Sequence, residues 1–73
     1  RVMGRQSDYV HLEDCTIRKE TASAFLVEFD GTDYWLPKTQ VADADNYAEG
    51  DEGVTLSITR WIADQKGIEG EES

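Results

Sequence analysis

The dipeptide Asp30-Gly31 constrains the fold of this chain more than any other feature of its sequence. It lies between two runs, 24–29 and 32–37, that are rich in β-branched and aromatic residues. Asp-Gly favours a two-residue type I′ turn, because both central positions of that turn need a positive φ. The sequence therefore predicts a β-hairpin with a defined register. The predicted cross-strand pairs are Phe29 with Thr32, Val27 with Tyr34, Leu26 with Trp35 and Phe25 with Leu36.

Alternation of side chains gives the predicted hairpin two different faces. One face is apolar and should form half of a small core; it carries Phe25, Val27, Phe29, Tyr34 and Leu36. The opposite face carries Leu26 beside Trp35, and the like charges Glu28 and Asp33 oppose each other farther along. We expect another element to cover Leu26 and Trp35 as a second layer of core. Left uncovered, they form an apolar patch that favours a two-fold homodimer.

The segments around the hairpin are predicted to complete one small antiparallel sheet. Residues 8–20 alternate as a strand whose parity slips at Glu13-Asp14, and a β-bulge there returns the apolar positions on both sides to the core. Pro37 ends the second hairpin strand because it lacks a backbone N–H. A short 3₁₀-like bend over 38–41 follows, and 54–58 alternate as the closing strand.

The C-terminal part of the chain shows a helix signal with both ends marked. Thr59 is a suitable N-cap, and Gly67 is suited to the left-handed residue that follows a helix. The predicted fold is therefore mainly β, either a small curled antiparallel sheet or an SH3-like β-barrel of four or five strands, with a short C-terminal helix. The predicted boundaries are a flexible lead-in over 1–7, one domain over 8–68 with an acidic loop at 42–53 and a helix at 59–67, and a disordered acidic tail over 69–73.

The charge balance is the most informative part of the composition. Seven basic residues stand against sixteen acidic ones, which gives a net charge of −9. Proteins that bind nucleic acid usually carry a basic patch. The acidic balance of this chain therefore argues against binding of a phosphate backbone by the domain as a whole. A single cysteine excludes an internal disulfide and favours a reducing compartment, which we expect to be a cytoplasm.

Neither catalysis nor a cofactor is predicted from the titratable residues. His11 is the only histidine and Cys15 the only cysteine. Alternation puts His11 on the face away from the core, whereas Cys15 shares the core parity beyond the bulge. A nucleophile needs its base within about 3 Å. We therefore expect a buried structural thiol and an exposed imidazole rather than a Cys-His pair.

A metal site is not predicted either. The acidic segment beginning at Asp43 starts like a calcium loop, with acidic or amide side chains at its first, third and fourth places. An EF-hand loop needs Gly at the sixth place and Glu at the twelfth. Those places hold Ala48 and Val54, so the pattern fails.

Three segments resemble small proteins found in bacteriophage genomes. They are AFLVEFDG over 24–31, YWLPKTQV over 34–41 and WIADQKGI over 61–68. Such proteins carry a similar "LLVE-DG-xxWLPKSQI" segment, an acidic loop and an "EWIAxxKG" end. Thr39 stands in place of their Ser and Arg60 in place of their Glu. The resemblance implies a phage origin and a compact accessory module, and it implies no catalytic mechanism.

Two functions and one inert alternative remain open from the sequence. The first is an acidic protein-binding module that imitates nucleic-acid charge to engage or inhibit a host protein. Its predicted binding residues are Asp43, Asp45, Glu49, Asp51, Glu52, Leu26 and Trp35. The second is a small-barrel module for single-stranded nucleic acid, which would use Trp35, Lys38, Arg18 and Lys19. In the inert alternative, the acidity only keeps a small domain soluble.

Overall fold

The predicted hairpin forms in the predicted register. A computed structural model of the 73-residue chain describes residues 9–72, with side chains through residue 70. Strand β2 (Ala24–Phe29) pairs antiparallel with β3 (Thr32–Pro37), and all four predicted cross-strand pairs are present. Asp30 and Gly31 have φ values of 54° and 80°, which is the positive pair that a type I′ turn requires.

One long strand, β1 (Tyr9–Glu20), joins the two halves of the sheet. Its first half pairs with β4 (Val54–Thr59) and its second half pairs with β2, both antiparallel. The predicted bulge is confirmed, since the register with β4 shifts between Leu12 and Cys15 and Asp14 has a φ of 61°. A second irregularity, between Ile17 and Lys19 in the pairing with β2, was not predicted.

Of the two predicted architectures, the curled sheet forms and the closed barrel does not. The strand order is β3-β2-β1-β4, so β3 and β4 are the two edges of the path. After β3 the chain turns through the predicted 3₁₀ bend, Lys38–Gln40, and touches β4 only briefly. Val41 forms an isolated bridge with Ile58, and the Ala42 N–H donates to the Ser57 carbonyl at 2.8 Å. A second 3₁₀ turn, Ala44–Asn46, lies in the acidic loop.

Helix α1 (Arg60–Lys66) closes one end of the core with the predicted caps. Thr59 Oγ1 accepts the Ile62 N–H at 3.2 Å, and Gly67 takes the left-handed conformation with a φ of 69°. Trp61 on the same helix is 59% exposed. The buried core combines residues of all four long strands, of the helix and of the segments that follow β3 and α1: Val10, Leu12, Cys15, Ile17, Phe25, Val27, Leu36, Val41, Leu56, Ile58, Ile62, Ala63 and Ile68.

The acidic tail differs from the predicted disorder. Residues Glu71–Glu72 form a short strand, β5, which pairs antiparallel with β1 at Val10 and His11. Gly70 makes this approach possible, because a Cβ there would lie 2.6 Å from the His11 carbonyl oxygen. The sequence gives no local signal for this pairing, since the contact is set by a glycine's fit against a distant strand. The predicted lead-in over 1–7 and the terminal residue 73 lie outside the described residues.

Candidate functional site

The acidic loop, residues 42–53, is attached to the sheet rather than extended into solvent. The Ile17 N–H donates to the Asp51 carbonyl and the Gly50 N–H donates to the Ile17 carbonyl, both at 2.8 Å. The Tyr47 hydroxyl donates to the Thr55 carbonyl at 2.9 Å. The loop therefore lies beside the second half of β1, along the same edge on which β4 pairs with the first half.

The five predicted acidic binding residues fall into two groups. Glu49 and Asp51 use their carboxylates to hold the loop: Glu49 Oε1 accepts the Glu20 N–H at 3.0 Å, and Asp51 Oδ2 accepts the Ala48 N–H at 2.9 Å. The other three side chains, those of Asp43, Asp45 and Glu52, are exposed. Their carboxylates make no hydrogen bond or ion pair within the described part of the chain and are therefore available to a partner.

A second acidic group, which the sequence analysis missed, lies between the β1 bulge and the hairpin turn. Asp14, Glu28 and Asp30 line an open groove of about 310 Å³ together with Thr16 and Gly31, and we call it the acidic groove. The β1–β2 register brings its walls together by placing Thr16 opposite Glu28. The two left-handed aspartates, one in the bulge and one in the turn, supply the remaining carboxylates.

Asp14 links the acidic groove to the acidic loop. Its Oδ1 lies 3.9 Å from the position that a Cβ would occupy at Gly53, the last residue of the loop. Glu52 precedes that glycine and is exposed. Carboxylates therefore follow one another from Glu52 in the loop, through Asp14 in the β1 bulge, to Asp30 in the hairpin turn, and we call this series the negative band. The sequence held a signal for this band, because the bulge and the turn were both predicted and both contain aspartate.

Leu26, Glu28, Asp33 and Trp35 form the outer face of the hairpin, and no element of residues 9–72 covers it as a second layer of core. Trp35 is 44% exposed and Leu26 is partly exposed. The expected covering element is absent from the described residues, since α1 packs against β4 and β1 instead. The prediction of a second apolar layer is therefore wrong for this face, and the alternative of an exposed patch holds.

The cations proposed for nucleic-acid binding are divided between the two faces of the hairpin. Arg18 bridges the two opposed carboxylates of the outer face, with N–O distances of 3.1 Å to Glu28 and 3.7 Å to Asp33. Lys38 lies on the core side, 2.7 Å from Glu20 Oε2 and 5.0 Å above the Phe25 ring.

Lys19 lies on the same sheet face as Trp35, one strand removed from it. It pairs in register with Leu26, which in turn opposes Trp35 in β3. Lys19 and Trp35 therefore share one cross-strand row with Leu26 between them, whereas Arg18 and Lys38 are both paired with carboxylates.

The thiol and the imidazole are separate structural groups. Cys15 is fully buried and its Sγ donates to the Leu12 carbonyl at 3.3 Å; burial raises the pKa of the thiol to about 11. His11 is partly buried rather than exposed, because Ser57 opposes it in β4 and the two side chains share a hydrogen bond of 2.7 Å from Nδ1 to Oγ. The prediction of a buried structural thiol is confirmed, whereas the prediction of a solvent-exposed imidazole is wrong.

The carboxylates do not converge on a point. Within the described residues no group of three or more His, Cys, Asp or Glu side chains is arranged to hold a metal ion. The helices of that part of the chain also lack the length and apolar character that crossing a membrane requires. What the arrangement offers chemically is an extended negative surface beside an exposed indole ring.

Comparison of the chain with protein-family models, with curated proteins and with solved structures finds no match. The resemblance to bacteriophage proteins therefore stays a prediction. A functional assignment has to rest on the charges, contacts and exposed groups described above.

Proposed function

We propose that this domain is a non-catalytic protein-binding module that engages a basic partner through its carboxylates. The acidic groove carries this proposal, because Asp14, Glu28 and Asp30 face one open depression. The exposed carboxylates of the acidic loop extend the same negative band beyond Gly53. Such a surface complements a basic cleft, and electrostatic complementarity contributes association rate and partner selectivity.

The distribution of cations supports the same proposal. The chain carries a net charge of −9, and two of its few cations, Arg18 and Lys38, are already paired with carboxylates. Arg18 partly offsets Glu28 in the acidic groove, whereas the exposed carboxylates of Asp14 and Asp30 have no cationic partner among the described residues. A protein whose groove normally holds a nucleic-acid backbone is a suitable partner, since spaced carboxylates imitate a line of phosphates. Binding to it should weaken with added salt, because ionic strength screens exposed charges.

We propose further that the domain is a bacteriophage accessory protein acting in the cytoplasm of the host cell. The support is the resemblance of the hairpin, the Trp-Leu-Pro-Lys segment and the helix end to phage proteins. The single free cysteine, which is buried, is compatible with a reducing compartment. An inhibitory module that occupies a host protein's basic groove needs no catalytic group of its own.

Binding of a synthetic arginine-rich peptide, measured by titration calorimetry at several salt concentrations, tests the acidic groove. The double variant Asp14→Asn with Asp30→Asn removes two charges and keeps residues that tolerate the left-handed conformation. We expect at least about a ten-fold loss of affinity, which corresponds to roughly 1.4 kcal/mol.

The matched control is Asp64→Asn with Glu69→Gln, which removes the same charge from exposed positions on and after α1. The control should bind nearly as tightly as the unchanged protein. Equal losses in the two variants would assign the effect to net charge alone. An affinity that stays constant from low to high salt would contradict the proposal itself.

A second candidate function is favoured by one observation, the exposure of Trp35 beside the Lys19–Leu26 row. An exposed indole and a lysine on the same sheet face can together stack a base and hold a phosphate, as in single-strand binding modules. A gel shift with a single-stranded oligonucleotide at low salt tests this function, with Trp35→Ala as the variant. A shift that the variant abolishes would support it, and the absence of any shift would exclude it.

A further inference from the structure

Strand β3 has an open edge. It pairs with β2 on one side, and on its other side no backbone hydrogen bond is formed with any described residue. Just after the strand, the Lys38 N–H donates to the Ser23 carbonyl at 2.8 Å, which continues the pairing on the β2 side. Open edges present unpaired N–H and C=O groups, and these groups can pair with another extended chain.

The turn geometry determines which backbone groups face this open edge. In a hairpin closed by a two-residue turn, the flanking residues, Phe29 and Thr32, form a hydrogen-bonded pair. Pairs then alternate, so Asp33 and Trp35 lie at positions that do not bond to β2. Their N–H and C=O groups therefore point outward. Pro37 follows at the next outward position, where its missing N–H does not interrupt the ladder with β2.

The side chains along the open edge define two different surfaces. Asp33 and Trp35 project onto the outer face, and both are exposed. Tyr34, between them, projects toward the core face and is only partly buried. An added strand would place its hydrogen-bonded residues opposite Asp33 and Trp35, with the intervening residue beside Tyr34.

We propose that the edge of β3 accepts an extended segment of the partner protein in which basic and apolar residues alternate. Asp33 already contacts Arg18 at 3.7 Å, but a carboxylate has about four acceptor sites, so an arginine or lysine opposite it can share the ion pair. The same residue type opposite Trp35 lies over the indole ring. The intervening apolar residue packs against Tyr34. This inference rests on the proposed function, because it names the partner segment that a basic-protein binder would take.

Charge complementarity selects this occupant over a second copy of the chain. No residue of β3 is basic, and the acidic groove begins at the turn that leads into the strand. A second copy would bring another net charge of −9 to the same edge. The two-fold homodimer through Leu26 and Trp35 is therefore an alternative outcome of the test.

Backbone-methylated peptides separate strand addition from attraction by charge alone. The parent probe is a synthetic peptide of alternating arginine and valine, and two derivatives carry N-methyl groups on the arginine amides or on the valine amides. All three have the same side chains and charge. Methylation of the arginine amides should weaken binding about ten-fold or more, since it removes the donors to β3 and adds steric bulk. Methylation of the valine amides should leave affinity nearly unchanged.

Amide hydrogen exchange of the unmutated protein locates the contact. The N–H groups of Asp33 and Trp35 should exchange quickly in the free protein and slowly in the presence of the parent peptide. Those of Thr32, Tyr34 and Leu36, which face β2, should already be protected. This alternation of slowed and unchanged residues distinguishes edge pairing from a general stabilisation of the hairpin.

A pair of protein variants provides the reciprocal measurement. Asp33→Ala removes the carboxylate and keeps the outward N–H, whereas Asp33→Pro removes both without breaking a bond to β2. We expect the proline variant to bind the parent peptide about five-fold more weakly than the alanine variant. Thermal melting of both variants checks that the hairpin persists, and the exchange measurement needs neither variant.

The outcomes are distinct. Equal binding of all three peptides without slowed exchange at Asp33 and Trp35 would overturn edge pairing and leave the acidic binding function standing. Failure of every peptide to bind at low salt would overturn both proposals. If exchange at Asp33 and Trp35 slows when the protein concentration is raised without any peptide, a second copy occupies the edge. This outcome too would overturn the inference.

Discussion

The two edge strands of the sheet are completed in different ways. Beside β4, the chain supplies its own cover, because Val41 bridges to Ile58 and Ala42 donates to the Ser57 carbonyl. Beside β3, the described residues supply none, and the exposed indole of Trp35 lies there. The difference separates an edge used for stability from an edge available for binding, and substitutions at matched positions can test that division.

The largest expected effect comes from truncating one apolar side chain on each edge. Ile58 in β4 is fully buried, whereas Trp35 in β3 is 44% exposed. Ile58→Ala should lower the free energy of unfolding by about 2–5 kcal/mol, because it removes buried methyl groups and leaves a cavity. Trp35→Ala should cost less than about 1 kcal/mol, close to the range for surface changes. Urea denaturation of both variants measures the contrast, and equal losses would mean that the β3 edge also supports the fold.

The next largest effect is expected from disrupting the pairing of the tail strand β5 with β1. A Cβ at Gly70 would lie 2.6 Å from both the His11 carbonyl oxygen and Leu12 Cδ2. Gly70→Ala should therefore displace β5 and cost about 1–3 kcal/mol. Thermal melting, together with amide exchange at Val10 and His11, measures the displacement. A truncation after Glu69 is the control, and a tail that stays paired in the alanine variant would contradict this account of the packing.

A smaller effect is expected at the junction of β4 and α1. Thr59 Oγ1 accepts the Ile62 N–H and donates to Gln40 Oε1 at 2.6 Å, which links the helix cap to the bend after β3. Thr59→Ala should cost about 1 kcal/mol, the usual contribution of an N-cap. Thr32→Ala, at an exposed position on the other edge, should stay within about 0.5 kcal/mol. Matching denaturation midpoints for the two variants would show that the cap contributes nothing.

The smallest expected effect depends on pH. A hydrogen bond from the Lys38 ammonium, followed by one from the Glu49 N–H, lowers the pKa of the Glu20 carboxyl below its ordinary value of 4.5. Its contribution to stability is therefore present above pH 4.5 and is lost as the pH falls through the lower folded-state pKa. Glu20→Gln should flatten this part of the acid unfolding curve.

Glu13→Gln is the control for the pH experiment, because Glu13 is exposed and has no partner among the described residues. Melting temperatures measured from neutral to acid pH give the comparison. An unchanged acid slope in the Glu20 variant would show that this exposed ion pair has no measurable role.

Local sequence signals predicted the hairpin and the helix well. Asp30-Gly31 fixed one turn geometry and thus every pair from Phe29–Thr32 to Phe25–Leu36. Thr59 and Gly67 marked the helix ends because capping depends only on neighbouring residues. The bulge at Asp14 was also predictable, since alternation before and after it disagreed.

Features that depend on distant contacts were not predictable from local patterns. The acidic groove forms only because β1 opposes Thr16 to Glu28, and no local pattern states that register. The tail strand depends on the fit of Gly70 against β1, and the exposure of Trp35 depends on where α1 docks. The number of carboxylates follows from the sequence. Which of them hold the loop and which are available to a partner depends on the folded structure.

The shared strand β1 has a consequence for how the domain loses its structure. The first half of β1 pairs with β4 and the second half pairs with β2. Opening either ladder therefore removes support from the strand that the other ladder also needs. The hairpin closes over a few residues, whereas the β1–β4 ladder joins distant parts of the chain, so the hairpin should form earlier during folding. Unfolding should nevertheless be all-or-none, with amides of both ladders reporting the same global opening energy.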